Sequence, residues 1–195
     1  MKSKLILILL GISVAVFSCK KKQDNIEPPL PNAPINVSSQ WLVDNVGNLI
    51  SGMGDGQWQK KVFTTQEQNL FNSLDTANLV GTLKPDSVID APTKFNYIYP
   101  NPFASQFRLS LQFSNGFNGQ IGFKYVIVDS VMNVVAKGAL KIQATACVPC
   151  PLQPSSTNIA FMPAIPLGKF RFYFSLSSQA NPFFYTTWGN INRTQ

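Results

Sequence analysis

Lys169-Phe170-Arg171-Phe172-Tyr173-Phe174-Ser175-Leu176 carries the strongest period-two pattern in the chain. Successive side chains on a strand point to opposite faces. Phe170, Phe172, Phe174 and Leu176 therefore share one apolar face, and Arg171 is expected to face outward. Other stretches alternate in the same way. Phe107, Leu109, Leu111 and Phe113 are separated by Arg108, Ser110 and Gln112, and Ile121, Phe123, Tyr125 and Ile127 form a further set. Asp129-Ser130-Val131-Met132-Asn133 reads as a turn into a strand over 134–142. Residues 183–188 supply another strand, and 97–99 and 158–161 supply shorter ones. About seven short strands separated by turns predict a mainly β protein built as an antiparallel β-sandwich.

Tyr99-Pro100-Asn101-Pro102-Phe103 opens this half of the chain. Pro100 and Pro102 have no N–H to give to a ladder, so the motif ends the first strand and turns the chain. With the strand pair around Ile127-Val128-Asp129 and Leu167-Gly168-Lys169-Phe170 leading the late strand, residues 97–176 resemble the C-terminal sorting domain of type IX secretion cargo. The resemblance implies an immunoglobulin-like sandwich and a signal read by the type IX machinery. The chain runs on through residues 182–195, beyond the late strand where such domains end. That continuation favours a domain that stays attached to its protein.

At the other end, Lys2 and Lys4 precede an apolar run from Leu5 to Phe17. The run is too short to span a bilayer core of roughly 30 Å and suits a signal peptide over residues 1–18. Val16-Phe17-Ser18-Cys19 resembles the lipobox of bacterial lipoproteins, which implies lipidation of Cys19 and a lipid anchor in the outer membrane, on its periplasmic or cell-surface side. Residues 19–37 hold Lys20, Lys21 and Lys22, then Pro28, Pro29, Pro31 and Pro34, and read as a semi-rigid tether. The three lysines are either a solvated spacer or a contact to anionic headgroups.

Residues 38–94 form a small segment. Asp44-Asn45-Val46-Gly47 between apolar runs suits a hairpin. Gly52, Gly54 and Gly56 make a loop in which Asp55 is better read as a turn residue than as a cation ligand. Thr64 and Glu67 form a capping box opening a helix of about three turns, with Leu70, Phe71, Leu74 and Ala77 on the face that docks on the following domain. Pro85 and Pro92 mark a connector leading to the sandwich at residues 95–195.

Cys147-Val148-Pro149-Cys150 lies among prolines, in a loop between strands. It reads as a local disulfide or a pair of thiols, with an intermolecular, redox-labile or metal-binding role as alternatives. Phe183, Phe184, Tyr185 and Trp188 invite a carbohydrate-stacking reading, although an alternating strand turns half of such rings into the core.

Apolar content of 45% excludes global disorder. The net charge of +7 is unevenly spread: residues 23–94 hold four lysines against eight acids, whereas residues 95–195 hold seven bases against Asp129 alone. The basic half faces either the acidic half or an anionic envelope polymer. There is no histidine, which removes Ser-His-Asp and Cys-His catalysis, histidine-based zinc sites and the usual base near neutrality. These features together predict a non-enzymatic envelope lipoprotein serving binding, adhesion or assembly, without cofactor or metal. Its expected partners are the membrane through Cys19 and envelope polysaccharide or another envelope protein, with no nucleic acid. The alternatives are a type IX sorting domain on a small exported protein and a carbohydrate-active or other surface enzyme.

Overall fold

The computed structural model describes residues 34–52, 56–74, 97–115, 119–144, 154–178 and 181–195. In chain order come β1 (Leu42–Val43), β2 (Leu49–Ser51), α1 (Thr65–Asn69), β3 (Ile98–Tyr99), β4 (Phe107–Asn115), β5 (Gly119–Val128), β6 (Val134–Ala144), β7 (Pro154–Phe161), β8 (Gly168–Ser177) and β9 (Tyr185–Arg193). β1 and β2 make the expected hairpin. The other seven strands form two antiparallel sheets, ordered β3-β4-β7 and β6-β5-β8-β9. The first, second and fifth strands thus face the fourth, third, sixth and seventh, which is an immunoglobulin-like sandwich. Phe107, Leu109, Leu111 and Phe113 from one sheet and Phe123, Phe172, Phe174 and Leu176 from the other are fully buried between them. Their rings interlock: Phe107 lies 5.0 Å from Phe161 and meets Phe172 edge-on at 5.6 Å.

β8 carries the clearest alternation, yet every residue from Phe170 to Ser177 is buried. The inner face fills the sandwich, while the outer face is roofed by residues 34–52 and 56–74. Phe63 and Phe71 from this roof pack with Val126, Val128, Met132 and Tyr173 in a second apolar cluster. The expectation that Arg171 faces water is therefore corrected. It points outward from the core, but the roof leaves it 8% exposed. Alternation reports which way a side chain points, and a third layer decides whether it meets solvent.

The capping box forms as read: Thr64 Oγ1 accepts from Glu67 N, and a Glu67 carboxylate oxygen accepts from Thr64 N at 2.8 Å. The helix is shorter than expected. After Asn69 the bonds tighten to three-residue spacing, from Phe71 N to Gln68 O, Asn72 N to Asn69 O and Leu74 N to Phe71 O. Asn69, Asn72 and Ser73 are poor helix formers because their side chains compete for backbone groups. Ala77 lies outside the described residues.

The turn after β5 is also as placed, and its left-handed residue is Met132, with φ +68°. Asp129 Oδ1 accepts from the backbone N–H groups of Val131 and Asn133, and Oδ2 accepts from the Asn133 side chain. Asp44 makes the same three bonds to Val46 and Asn48 in the hairpin, where the left-handed position is Gly47. The shared pattern Asp-x-Val-x-Asn builds both turns.

β9 runs from Tyr185 to Arg193 and pairs with β8 along its length, well past the expected end at residue 188. Its outer edge is closed by earlier parts of the chain. Trp58 N donates to Trp188 O, Lys61 N to Thr186 O, and the Gln57 side chain accepts from Asn190 N. Trp58 drives its indole over this edge into the core, against Phe172. It lies flat on Gly189, where a Cβ would fall 2.0 Å from the ring. Trp41 joins the same core, so the segment and the sandwich bury one continuous set of side chains.

Candidate functional site

The Tyr99-Pro100-Asn101-Pro102-Phe103 motif is drawn into the junction of three elements. Both X-Pro bonds, at Tyr99-Pro100 and Asn101-Pro102, are cis. Asn101 exchanges backbone bonds with Val43 of β1, at 3.0 and 2.9 Å. Its side-chain Nδ2 donates to Trp41 O at 2.8 Å and Asn190 O at 3.0 Å, and its Oδ1 accepts from Asn192 N. Every amide hydrogen and the carbonyl oxygen of a fully buried asparagine thus has a partner, which is what burial of a polar group requires. Phe103 continues the seam, donating to Asn192 O and accepting from Thr194 N. The residues the motif needs come from β1 and β9, far away in sequence. Beside the seam, Pro100, Pro102, Tyr99, Asn45 and Arg108 line an open cleft of about 500 Å³.

A second polar assembly lies under the roof. Arg171 donates through Nε to Asn190 Oδ1 at 3.0 Å and through Nη2 to Asn36 O at 2.5 Å. Its guanidinium sits 3.8 Å from the centre of the Trp188 ring, and Lys61 approaches the same ring at 5.6 Å. Lys61 pairs with Glu67 at 2.7 Å. Burial pushes the Glu67 carboxyl up, but the bonds from Lys61 and Thr64 outweigh it and hold the group below its ordinary value. Burial raises the Tyr173 hydroxyl. A concavity of about 360 Å³ opens between Ile35, Lys61, Glu67, Met132, Arg171 and Tyr173.

The contact between the basic and acidic halves takes an unforeseen form. Lys124, Lys169 and Arg171 reach the backbone carbonyls of Leu74, Ser38 and Asn36, and Lys137 reaches the Ser73 hydroxyl. Lys61–Glu67 is an ion pair between two described residues. Among the described residues, Lys124, Lys169 and Arg171 are thus met by backbone carbonyls and Lys137 by a hydroxyl, while Lys61 is met by a carboxylate. The three described acids each hold local structure: Asp44 and Asp129 close their turns, and Glu67 caps α1.

The aromatic group is largely internal. Phe184 and Tyr185 are buried, Phe183 meets Phe71 edge-on at 5.9 Å, and Trp188 is covered by Arg171. Cys19, Asp55, Cys147 and Cys150 lie outside the described residues. Among the described residues no three His, Cys, Asp or Glu side chains gather as a metal site, and no helix is long and apolar enough to cross a membrane. Sequence reading missed Asn190, Trp41, Trp58 and Gly189. An asparagine and a glycine inside a strand signal nothing until their neighbours are known, and the tryptophans stand in short segments without periodicity.

The arrangement provides open clefts, and hydrogen-bonded lysine and arginine side chains, around a packed sandwich. No protein-family model and no curated protein matches this chain. Among solved structures, it is similar to a glycosyl hydrolase family 2 member from Bacteroides cellulosilyticus DSM 14838, with 13% identity and a TM-score of 0.31. The likeness covers 49% of this chain and 14% of that one.

Proposed function

We propose that this chain is a non-enzymatic lipoprotein of the bacterial outer envelope, anchored through Cys19, whose sandwich remains attached and serves binding or assembly. The observation that carries this reading is the burial of Asn101 between β1 and β9. A portable sorting signal has to fold and be recognised apart from the rest of its protein. Here the motif is bonded to Val43 and Trp41 before it and to Asn190 and Asn192 after it, and Trp41 and Trp58 complete the core. The open cleft beside Pro100, Pro102 and Arg108 favours the second reading, a motif accessible to the type IX machinery.

The test is to express the full chain in a host with a working type IX system and weigh the membrane-associated product. Retention of residues 95–195 on a detergent-soluble protein is expected. Recovery of a product cut before the sandwich would promote the sorting reading. Cys19→Ala should move the protein into the aqueous phase or leave its signal uncleaved. A normally cleaved variant that still partitions with detergent would overturn the anchor.

A further inference from the structure

Met162-Pro163-Ala164-Ile165-Pro166-Leu167 joins β7 to β8 without a single polar side chain. Surface connections ordinarily draw on Asn, Asp, Ser and Gly as well as proline. Ile165 turns inward and is buried, but Met162 and Leu167 are 78% and 54% exposed, and Ala164 and Pro166 are exposed beside them. The turn between β5 and β6 stands at the same end of the sandwich, since Val128 pairs with Arg171 near the start of β8. It adds Val131 and Val134, each 44% exposed. Isolated apolar side chains on a surface are ordinary, whereas a gathered set marks a contact surface.

We infer that this end of the sandwich is a lipid-facing pole that rests on the membrane in which the chain is anchored. The inference depends on the lipoprotein reading above. Three observations select a lipid surface as the occupant. The first described residues lie here: Ile35 N donates to Ser130 O in the β5–β6 turn, and Lys169 Nζ donates to Ser38 O. Cys19 lies 15 residues before Pro34 in the sequence, so a lipid anchor there and the pole belong to one short stretch of chain. With both on one chain a weakly binding apolar surface is effective, because the second contact is intramolecular. Finally, Lys169 and Arg193 lie at the paired ends of β8 and β9, and Arg108 pairs with Ala160 beside the end of β7; cations at the same end as apolar tips suit an anionic bilayer surface. Arg193 also braces the apolar loop, donating to Ile165 O and Ala104 O.

The experiment uses the full acylated chain in vesicles of phosphatidylethanolamine and phosphatidylglycerol that carry a lipid-bound quencher. A fluorescent noncanonical amino acid is placed at Val131 or Leu167, or at Gln143, which is about 30 Å further along β6 from the pole. Several-fold stronger quenching at Val131 and Leu167 than at Gln143 is expected, and Met162→Glu in the Leu167 probe chain should reduce it towards the Gln143 level. Equal quenching at all three positions, with the protein still floating with the vesicles, would overturn the pole and leave the anchor standing. Failure to float would remove the anchor and the pole with it. A probe environment that responds to protein concentration in detergent, and not to the lipid quencher, would assign the pole to a second copy and refute the membrane contact.

Discussion

Gly189→Ala is a one-methyl change with a large consequence if the β9 edge is built as described. The added Cβ would lie 2.0 and 2.1 Å from two atoms of the Trp58 indole, far inside any contact distance. Neither side can move easily. Gly189 is paired with Phe172 across the ladder, and Trp58 is 1% exposed with its backbone N–H bonded to Trp188 O. Overpacking of a core costs about 1–3 kcal/mol. Expelling the indole altogether approaches the about 3–5 kcal/mol of a Trp→Ala truncation. In an open strand the same change would be favourable by roughly 0.5–1 kcal/mol, because alanine loses less backbone freedom than glycine. Gly189→Ala should therefore destabilise wild-type protein by about 3 kcal/mol and be neutral or slightly stabilising in a Trp58→Ala background. Urea unfolding of the mature chain, followed by circular dichroism for the four variants, measures the coupling. Additive effects within about 0.5 kcal/mol would refute the insertion of Trp58 over Gly189.

Asn101→Ala leaves Trp41 O, Asn190 O and Asn192 N without their partner, and at about 1–3 kcal/mol for each buried orphan it should lower the urea midpoint more than any single exposed substitution. Arg171→Ala should cost about 2–3 kcal/mol, because charge-assisted bonds to Asn190 and Asn36 are lost, against about 3–5 for Phe172→Ala. A change within about 0.5 kcal/mol at Arg171 would show that the outer face is not sealed. The Glu67 pKa is lower in the folded chain than its ordinary 4.5, so its contribution to stability is complete above that pH and lost as pH falls through the folded value. Glu67→Gln should flatten the acid limb of a stability profile, and an unchanged limb would show that the Lys61 pair contributes nothing.

Much of the sandwich was legible because each inner strand carries its own instruction. Phe170 to Leu176 and Phe107 to Phe113 alternate strictly, and burial of one face is enough to define which side turns in. The capping box at Thr64 and the turn at Asp129 were legible for the same reason, since their partners lie within four residues. Strand β9 was cut short because Trp188-Gly189-Asn190 breaks the alternation. It is held by β8 on one side and by Gln57, Trp58, Asn101 and Phe103 on the other.

The role of the motif shows where sequence alone stops. Two prolines flanking an asparagine announce a turn, because proline cannot enter a ladder and the restriction is local. That the asparagine is the knot between the hairpin and the last strand depends on Trp41, Asn190 and Asn192, separated from it by 60, 89 and 91 residues. The same holds for Arg171, whose direction follows from the pleat but whose burial follows from a roof assembled out of residues 34–52 and 56–74. Local sequence determined which backbone conformations are favourable and which faces are apolar. Only the tertiary structure decided which polar groups lose their water, because desolvation is imposed by whatever packs on top.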